Sequence, residues 1–322
     1  MMNSNNELII KTENLTKRFG HVVAVNGLQL EIKKGEIFGL VGPDGAGKTT
    51  TLRMLAAIMD PTSGNATIAG FDLRKQPEQI KEHIGYMAQQ FALYGDLSVL
   101  ENINFFADVF GVRGKVRQER IKRLLDFARL AEFTDRLAGR LSGGMKKKLG
   151  LACALIHAPE ILYLDEPTTG VDPVSRREFW DILAGLHVDN TTILVNTPYM
   201  DEAERCSRVG LMYNGRLVEQ GTPKEIKALI PGELVEFRPE SPQIRGVGLL
   251  RQADRILSQQ AGVLEVQTYG DLMHVFVDSI AQRRPQLEAV LAAEQITIAN
   301  FRQTTPRMEE AFISLIGKME NS

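Results

Sequence analysis

A glycine-rich stretch between a short apolar run and a helical pattern has the residues that bind nucleotide phosphates. It reads GPDGAGKTT. Glycines at this spacing let successive backbone amides face phosphate oxygens, while the lysine reaches the β- and γ-phosphates and the threonine hydroxyl faces magnesium. A purely structural turn is the alternative, but the flanking strand and helix patterns favour phosphate binding. The predicted nucleotide-binding residues of this phosphate loop are Gly42, Pro43, Asp44, Gly45, Ala46, Gly47, Lys48, Thr49 and Thr50.

A second stretch, ILYLDEP at Ile161–Pro167, places two acids at the end of an apolar strand pattern. One carboxylate there can hold magnesium and its neighbour can orient an attacking water, so we predict these roles for Asp165 and Glu166 respectively. Alone, such a pair often only begins a loop, but beside a phosphate loop it indicates nucleotide hydrolysis. No lysine is followed two residues later by aspartate, as guanine-recognition loops require, so adenine is the favoured base.

A third stretch, LSGGMKKKLG, predicts another anion site at a helix start. Ser142 is a good N-cap residue, and Gly143 and Gly144 leave backbone amides uncovered beside it. A plain capped helix is the alternative. Because the phosphate loop already supplies one full phosphate site, we interpret this stretch as serving a nucleotide held by another subunit.

Together the three stretches resemble the ATP-binding subunits of ABC transporters, in that family's order, over about residues 7 to 225. The resemblance implies a head-to-tail dimer with ATP between one phosphate loop and the partner's Ser142, Gly143 and Gly144. It further implies that Gln89, in GYMAQQ, takes part in catalysis and magnesium binding, and that Asp172, in TTGVDP, lies at the dimer contact. Phe19, in LTKRFG, corresponds to the ring that stacks on adenine, with a core phenylalanine as the alternative.

Within that family, the stretches GVDPVSRREFW, YMDEAERC and TTPRMEEAFISLIG resemble the type-2 exporter branch, which includes bacterial multidrug, sodium and polysaccharide efflux systems. The resemblance implies ATP and magnesium as cofactors. It also implies a membrane permease as partner and a peripheral location on the cytoplasmic face of the bacterial inner membrane. Residues Phe91 to Ile103 correspond to the face that receives the permease, whereas burial in a helical insertion is the alternative for Phe91 and Tyr94.

Three departures from the family pattern affect the expected chemistry. Pro198 stands where the family carries a switch histidine, and proline offers no donor to the γ-phosphate. We expect the hydroxyl of Thr197 or Tyr199 to recover part of this loss. Lysines at Lys146 to Lys148 replace the usual Lys-Gln-Arg, with little expected consequence, and Asp44 replaces a common Asn or Ser for no evident reason.

The proline leaves four functional hypotheses open. The chain hydrolyses ATP slowly with Glu166 sufficing, or it pairs with a different, histidine-bearing ATPase subunit while its own site hydrolyses poorly. It is otherwise a non-transport ABC ATPase, or a nucleotide-binding regulatory subunit without turnover. We favour the ATPase of an efflux transporter.

Composition narrows the possible partners. The chain has 322 residues and a net charge of -2, which argues against whole-chain binding to nucleic acid. No apolar stretch approaches the ~18 residues of a membrane span. The two cysteines, Cys153 and Cys206, have no metal-ligand spacing and read as buried thiols.

The predicted elements must place these residues on one sheet. Strand patterns at 8–10, 28–32, 37–41, 161–164, 192–195 and 209–212, separated by helical patterns, predict an α/β P-loop NTPase of the ABC ATPase type. A helix from 48 to 59 follows the phosphate loop, and a helical insertion covers about 90–155, helical throughout from 100 to 138. We place the first domain at 1–231 and a small α+β domain at 232–322, in strand–helix–two strands–helix–strand order.

Overall fold

The structure, a computed structural model, describes residues 7–90, 92–188 and 190–320. The chain forms two compact units, the first extending to Thr222 and the second beginning at Pro223. This division falls before residue 231, where the sequence predicts the end of the first domain. Each unit has its own sheet and core.

The first unit is built on a six-stranded sheet whose strands are mostly parallel. Its order is β11-β10-β4-β9-β8-β7, and only β11 is antiparallel to its neighbour. Parallel strands present their carboxyl ends at one edge, so the loops after β4, β7, β8 and β9 emerge together. The strands are β4 (Ile37–Val41), β7 (Ile84–Met87), β8 (Ile161–Asp165), β9 (Thr192–Thr197), β10 (Arg208–Tyr213) and β11 (Arg216–Gly221).

A second, antiparallel sheet packs with helix α1 and the central sheet around one apolar core. The prediction of one strand over residues 28–32 is wrong. Gln29 and Leu30 lie outside both strands and separate β2 from β3. There the Thr12 hydroxyl bridges the break: it donates to the Leu28 carbonyl and accepts the Leu30 amide, each at 2.8 Å. The strands are β1 (Leu8–Phe19), β2 (Val22–Leu28), β3 (Glu31–Lys33), β5 (Ser63–Ile68) and β6 (Phe71–Asp72).

The helices of this unit are shorter than predicted. The helix after the phosphate loop ends at Leu55 instead of residue 59, because Ala57 adopts a left-handed backbone with φ 54°. The insertion is not helical throughout 100–138: Gly111 (φ 67°) and Arg129 (φ 54°) follow the ends of its two long helices. The helices are α1 (Lys48–Leu55), α2 (Pro77–His83), α3 (Val99–Val109), α4 (Gly114–Phe127), α5 (Gly143–Leu155), α6 (Pro173–Val188) and α7 (Met200–Ala203).

The second unit is an antiparallel sheet in the order β13-β14-β12-β15, with α9 and α10 packed on one face. Opposite them, His274 is buried between Glu236 and Glu310, which lies on α11. Helix α10 contains Pro285 in its first turns and begins before it, because the Arg283 amide already donates to the Ser279 carbonyl. The elements are α8 (Pro223–Lys227), β12 (Glu233–Glu240), α9 (Val247–Leu257), β13 (Val263–Tyr269), β14 (Leu272–Val277), α10 (Ile280–Ala293), β15 (Thr297–Thr304) and α11 (Met308–Glu320).

Two predictions from the sequence concern the cysteines and the membrane spans. Cys153 and Cys206 are both buried thiols, as expected, and burial raises the pKa of each. Among residues 7–90, 92–188 and 190–320, no helix is both long and apolar enough to cross a membrane.

Candidate nucleotide-binding site

The phosphate loop connects β4 to α1, and two of its glycines, Gly42 and Gly47, are required by close backbone contacts. Gly47 has φ 100°, and a Cβ there would lie 2.3 Å from the Ala24 carbonyl oxygen. A Cβ on Gly42 would lie 2.1 Å from the Met212 carbonyl oxygen. Side chains at these two positions would therefore push the loop away from β2 and β10.

Lys48 lies folded across this loop. Its Nζ donates to the Pro43 carbonyl at 2.8 Å, and only 4% of the residue is exposed. Burial lowers the pKa of Lys48, while the negative charges of Glu166, Asp44 and Asp165 act in the opposite direction. Asp44 thus has a physical account: it is one of three carboxylates that favour the charged lysine.

Asp165, at the end of β8, is the centre of a buried polar cluster. Its Oδ1 accepts the Thr49 hydroxyl at 2.9 Å and also the Asn196 side-chain amide. Its Oδ2 accepts the Tyr86 hydroxyl at 3.4 Å. The structure therefore brings together Thr49 and Asp165, two of the three predicted magnesium-binding residues, whereas the side chain of the third, Gln89, donates to Glu166. It adds Tyr86 and Asn196, which the sequence reasoning missed.

The donor set around Asp165 fits a magnesium ion bound together with nucleotide phosphates. Such an ion needs only one or two protein carboxylates, because phosphates and waters supply the other oxygens. The side-chain amide nitrogen of Asn196 donates to both Thr49 and Asp165. Its Oδ1 is buried without a hydrogen-bond partner in the part of the chain that the structure describes. Within that same part, no group of three or more His, Cys, Asp or Glu side chains is arranged to hold a metal by itself.

Glu166 has a strained backbone at the point where the sequence predicts the water-orienting group. Its φ of 47° lies in the left-handed region, which costs a non-glycine residue about 1–3 kcal/mol. Its amide donates to the Asn196 carbonyl at 2.9 Å. Its Oε2 accepts the Gln89 side-chain amide at 2.7 Å and the Thr169 hydroxyl at 3.2 Å. These contacts hold the carboxylate in one place next to Asp165.

Pro198 directly follows β9. Of the two neighbours predicted to compensate for the missing histidine, Thr197 and Tyr199, the first has its hydroxyl already bonded. Thr197 is fully buried. Its hydroxyl donates to Glu202 Oε2 at 2.6 Å and accepts the Tyr199 amide at 3.1 Å. The expectation that this hydroxyl replaces the lost donor is therefore wrong for Thr197. The Tyr199 ring lies 4.2 Å below the Arg176 guanidinium.

The helix start at Ser142 is accessible. Ser142 caps α5 by accepting the Met145 amide at 3.3 Å, and both Ser142 and Gly143 are exposed. Gly144 is buried, and a Cβ there would lie 2.6 Å from the Ser175 side chain. The simple cap therefore exists, and it leaves the first turn of α5 open to a ligand from outside the chain.

Asp172 also has a local role that the sequence did not indicate. Its Oδ1 accepts the Ser175 amide at 2.9 Å and the Val174 amide at 3.1 Å, which satisfies donors at the start of α6. Hydrogen bonds from Ser175 lower the pKa of this exposed carboxyl group. Asp172 therefore holds the start of α6 whether or not it also meets a partner.

Two aromatic residues lie at the surface, which excludes the core alternatives for both. Phe19, at the end of β1, is 48% exposed, with Lys17 Nζ 5.2 Å from its ring centre. Tyr94 is 49% exposed and packs against Phe105, with 4.6 Å between ring centres. Phe91, which is also predicted to face the permease, lies outside the described residues.

Two of the three signature lysines make contacts that the sequence did not indicate. Lys147 Nζ donates to the Gln89 carbonyl at 2.8 Å. Lys148 is buried in α5 and forms an ion pair with Glu178 of α6. Both lysines therefore connect α5 to other parts of the unit.

The phosphate loop, the Asp165–Thr49 cluster and the adjoining Glu166 on a parallel sheet define a P-loop nucleotide-binding cassette. The family model of the ABC transporter matches residues 25–169. The daunorubicin resistance ATP-binding protein DrrA2 of Streptomyces coeruleorubidus is 33% identical, with 97% of each chain covered. The chain belongs to the family of ABC transporter ATP-binding proteins. The predicted family and fold class are confirmed.

The chain is also similar to a longer curated protein and to a solved cassette structure. The probable multidrug ABC transporter ATP-binding protein YbhF of Escherichia coli is 43% identical over 97% of this chain. The alignment covers 53% of YbhF, so the chain spans about half the length of that relative. A dimeric post-hydrolysis structure of the cassette MJ0796, bound to ADP and phosphate, superposes with TM-score 0.60 and 27% identity, over 66% of this chain and 98% of that one.

Proposed function

We propose that the chain is the ATP-binding and hydrolysing subunit of an efflux transporter. The observation that carries this proposal is the arrangement of Lys48, Thr49, Asp165, Glu166 and Gln89 at one edge of the sheet. The names of the relatives, which include multidrug and daunorubicin resistance proteins, support the export direction.

ATP binds with its phosphates in the loop between β4 and α1. The amides of this loop and the dipole of α1 stabilise the negative charge, and Lys48 turns from the Pro43 carbonyl toward the β- and γ-phosphates. Phe19, exposed at the end of β1, stacks on the adenine ring. Magnesium, held by Thr49 and Asp165 with Gln89 nearby, would neutralise charge between the β- and γ-phosphates.

Hydrolysis depends on a water that Glu166 orients toward the γ-phosphate. The carboxylate accepts a hydrogen bond from this water and so aligns it for in-line attack. Gln89 and Thr169 fix the position of Glu166 Oε2 before the water arrives. Such preorganisation lowers the barrier, because no side chain must move when charge develops.

The complete site is formed by two subunits. The exposed Ser142 and Gly143 of a partner cover the γ-phosphate of an ATP held in this chain's loop, and the partner's helix dipole adds to the charge stabilisation. The dimeric arrangement of the cassette bound to ADP and phosphate supports this geometry. Asp172, at the start of α6, then lies at the subunit contact.

Pro198 makes the second subunit's identity important. A proline cannot donate to the γ-phosphate, and Thr197 is committed to Glu202. We propose weak hydrolysis by this chain, and a second ATPase subunit that is either the same chain or a histidine-bearing paralogue. A non-transport ABC ATPase and a regulatory subunit without turnover are the competing functions.

The permease binds the surface that includes Tyr94, next to Phe105 of α3. Both aromatic rings are exposed to solvent. An exposed apolar patch of this kind is typical of a protein–protein contact. The chain then sits at the cytoplasmic face of the bacterial inner membrane through this permease, with no nucleic-acid partner. The transported substrate is selected by the permease.

Affinity purification of the chain from detergent-solubilised membranes tests this function. We expect an integral-membrane permease to co-purify, and a variant with Tyr94→Asp and Phe105→Asp to lose it while still binding ATP. Co-purification of soluble proteins alone would favour the non-transport function. ATP retention without any phosphate release would favour the regulatory subunit.

A further inference from the structure

Lys147 connects two parts of the chain to which the proposed function assigns different nucleotides. Its Nζ donates to the Gln89 carbonyl at 2.8 Å, and the Gln89 side-chain amide donates to Glu166 Oε2 at 2.7 Å. Lys147 also belongs to α5, the helix that Ser142 caps. One side chain therefore joins the helix offered to a partner's ATP with the residues that act on this chain's own ATP.

The surroundings of Lys147 strengthen this contact. The side chain is half-buried, so its ammonium group is held close to the Gln89 carbonyl. Its hydrogen bond to the carbonyl is charge-assisted, a class roughly twice as strong as a neutral hydrogen bond. A glutamine, which is usual at this position in the family, would offer neither the charge nor the reach of the lysine.

The contact lies at the side of an open cavity. A space of about 320 Å³ is lined by Gln89, Gly143, Lys147 and Thr169, among others. Gly143 is in the first turn of α5, and Thr169 donates to the same Glu166 oxygen as Gln89. On this side, the loop that carries Gln89 faces the cavity and is not packed against a core. The hydrogen bond from Lys147 is therefore one of the contacts that hold this loop in position.

We propose that Lys147 is a positioning residue that couples the two ATP sites of the dimer. When the partner's ATP binds at Ser142 and Gly143, α5 moves as a rigid element, and Lys147 transmits this movement to the Gln89 carbonyl. Gln89 in turn sets the position of Glu166 at the chain's own ATP. The inference rests on the proposed function, because it requires a composite site in a dimer.

The change Lys147→Met tests this role, because methionine keeps the length of the side chain but removes the donor and the charge. Lys147→Arg keeps both, and Lys146→Met is the matched control, since Lys146 is exposed on the same helix and lines the same cavity. Two measurements are made on the full chain. One is steady-state ATPase activity across ATP concentrations, and the other is hydrogen exchange of segment 86–95 without nucleotide.

We expect Lys147→Met to lower kcat by up to about 100-fold, the loss that a catalytic group misplaced by about 1 Å can cause, with KM for ATP within a factor of about two. The Hill coefficient for ATP should fall toward one. Exchange in segment 86–95 should become faster, because the Gln89 carbonyl loses its anchor. Lys147→Arg should restore most of kcat, and Lys146→Met should match the wild type.

Three results would overturn the proposal. Equal exchange in Lys147→Met and Lys146→Met would show that Lys147 does not hold the loop. Faster exchange with unchanged kcat and Hill coefficient would show a local contact without coupling. A wild-type chain that binds no ATP would overturn the proposed function, and with it the coupling between sites, whereas the exchange comparison would still decide whether Lys147 holds Gln89.

Discussion

The side-chain amide of Gln89 donates a 2.7 Å hydrogen bond to Glu166 Oε2. Gln89 follows β7 and Glu166 follows β8, and these two strands are parallel neighbours. Residues that leave adjacent parallel strands emerge at the same edge of the sheet, which is why two positions far apart in sequence meet here. The pair places a carboxylate where an attacking water is needed, and the predictions below follow from that placement.

Replacing Lys48 with alanine should abolish ATP binding or weaken it severely. The lysine supplies the cation for the β- and γ-phosphates, and charge-assisted contacts of this kind are the strong ones. Nucleotide affinity is measured by isothermal titration, with Lys115→Ala as the control because Lys115 is an exposed lysine on α4. Equal affinity in the Lys48 variant and the control would contradict the phosphate-loop assignment.

Replacing Glu166 with glutamine should preserve ATP binding and trap an ATP-bound dimer. The phosphate loop and Ser142 remain, but the carboxylate that orients water is gone. Size-exclusion chromatography with ATP and magnesium should show a dimer for this variant, and a monomer for a variant that also carries Lys48→Ala. A monomer of Glu166→Gln at saturating ATP would count against the composite site.

Replacing Asn196 with alanine should lower hydrolysis about tenfold and raise the magnesium concentration needed for half-maximal activity. The amide no longer holds the Asp165 carboxylate and the Thr49 hydroxyl. Loss of a group that orients metal ligands typically lowers metal affinity or activity 10-fold to 100-fold. ATP affinity without magnesium should not change. If the magnesium dependence is the same in wild type and variant, Asn196 has no part in the ion site.

Replacing Pro198 with histidine should raise the ATPase activity of the purified chain. Loss of one preorganised donor typically costs about 10²–10³ in rate, so the histidine has that much to restore. Pro198→Ala is the matched control, since it frees the backbone without adding a donor. Equal activity in the wild type and both variants, at tens of turnovers per second, would remove the reason to expect a histidine-bearing partner.

Much of the site could be predicted because it depends on local sequence. The phosphate loop needs glycines, a lysine and a threonine in fixed order, and β8 is an apolar run that ends in two acids. These patterns are short enough to recognise without knowing the fold. In the second unit, the chain order of strands and helices was likewise predictable, and the sheet order β13-β14-β12-β15 is consistent with it.

The remaining contacts depend on pairing between distant segments. Asn196 reaches Asp165 because β8 and β9 are in register at these residues, and Tyr86 reaches it from the other neighbour, β7. A polar residue in the apolar run ILVNT was the one available signal for Asn196. The bond from Lys147 to Gln89 requires the packing of α5 against β7, which no local pattern specifies.

The role of Glu166 is tested most directly by phosphate release from the purified wild-type chain and from Glu166→Gln, measured side by side with ATP and magnesium. We expect slow but measurable release by the wild type and none above background for the variant, although both bind ATP equally well. Equal release by the two proteins would mean that the reaction does not depend on the carboxylate that Gln89 holds in place, and hydrolysis at this site would then be wrongly assigned.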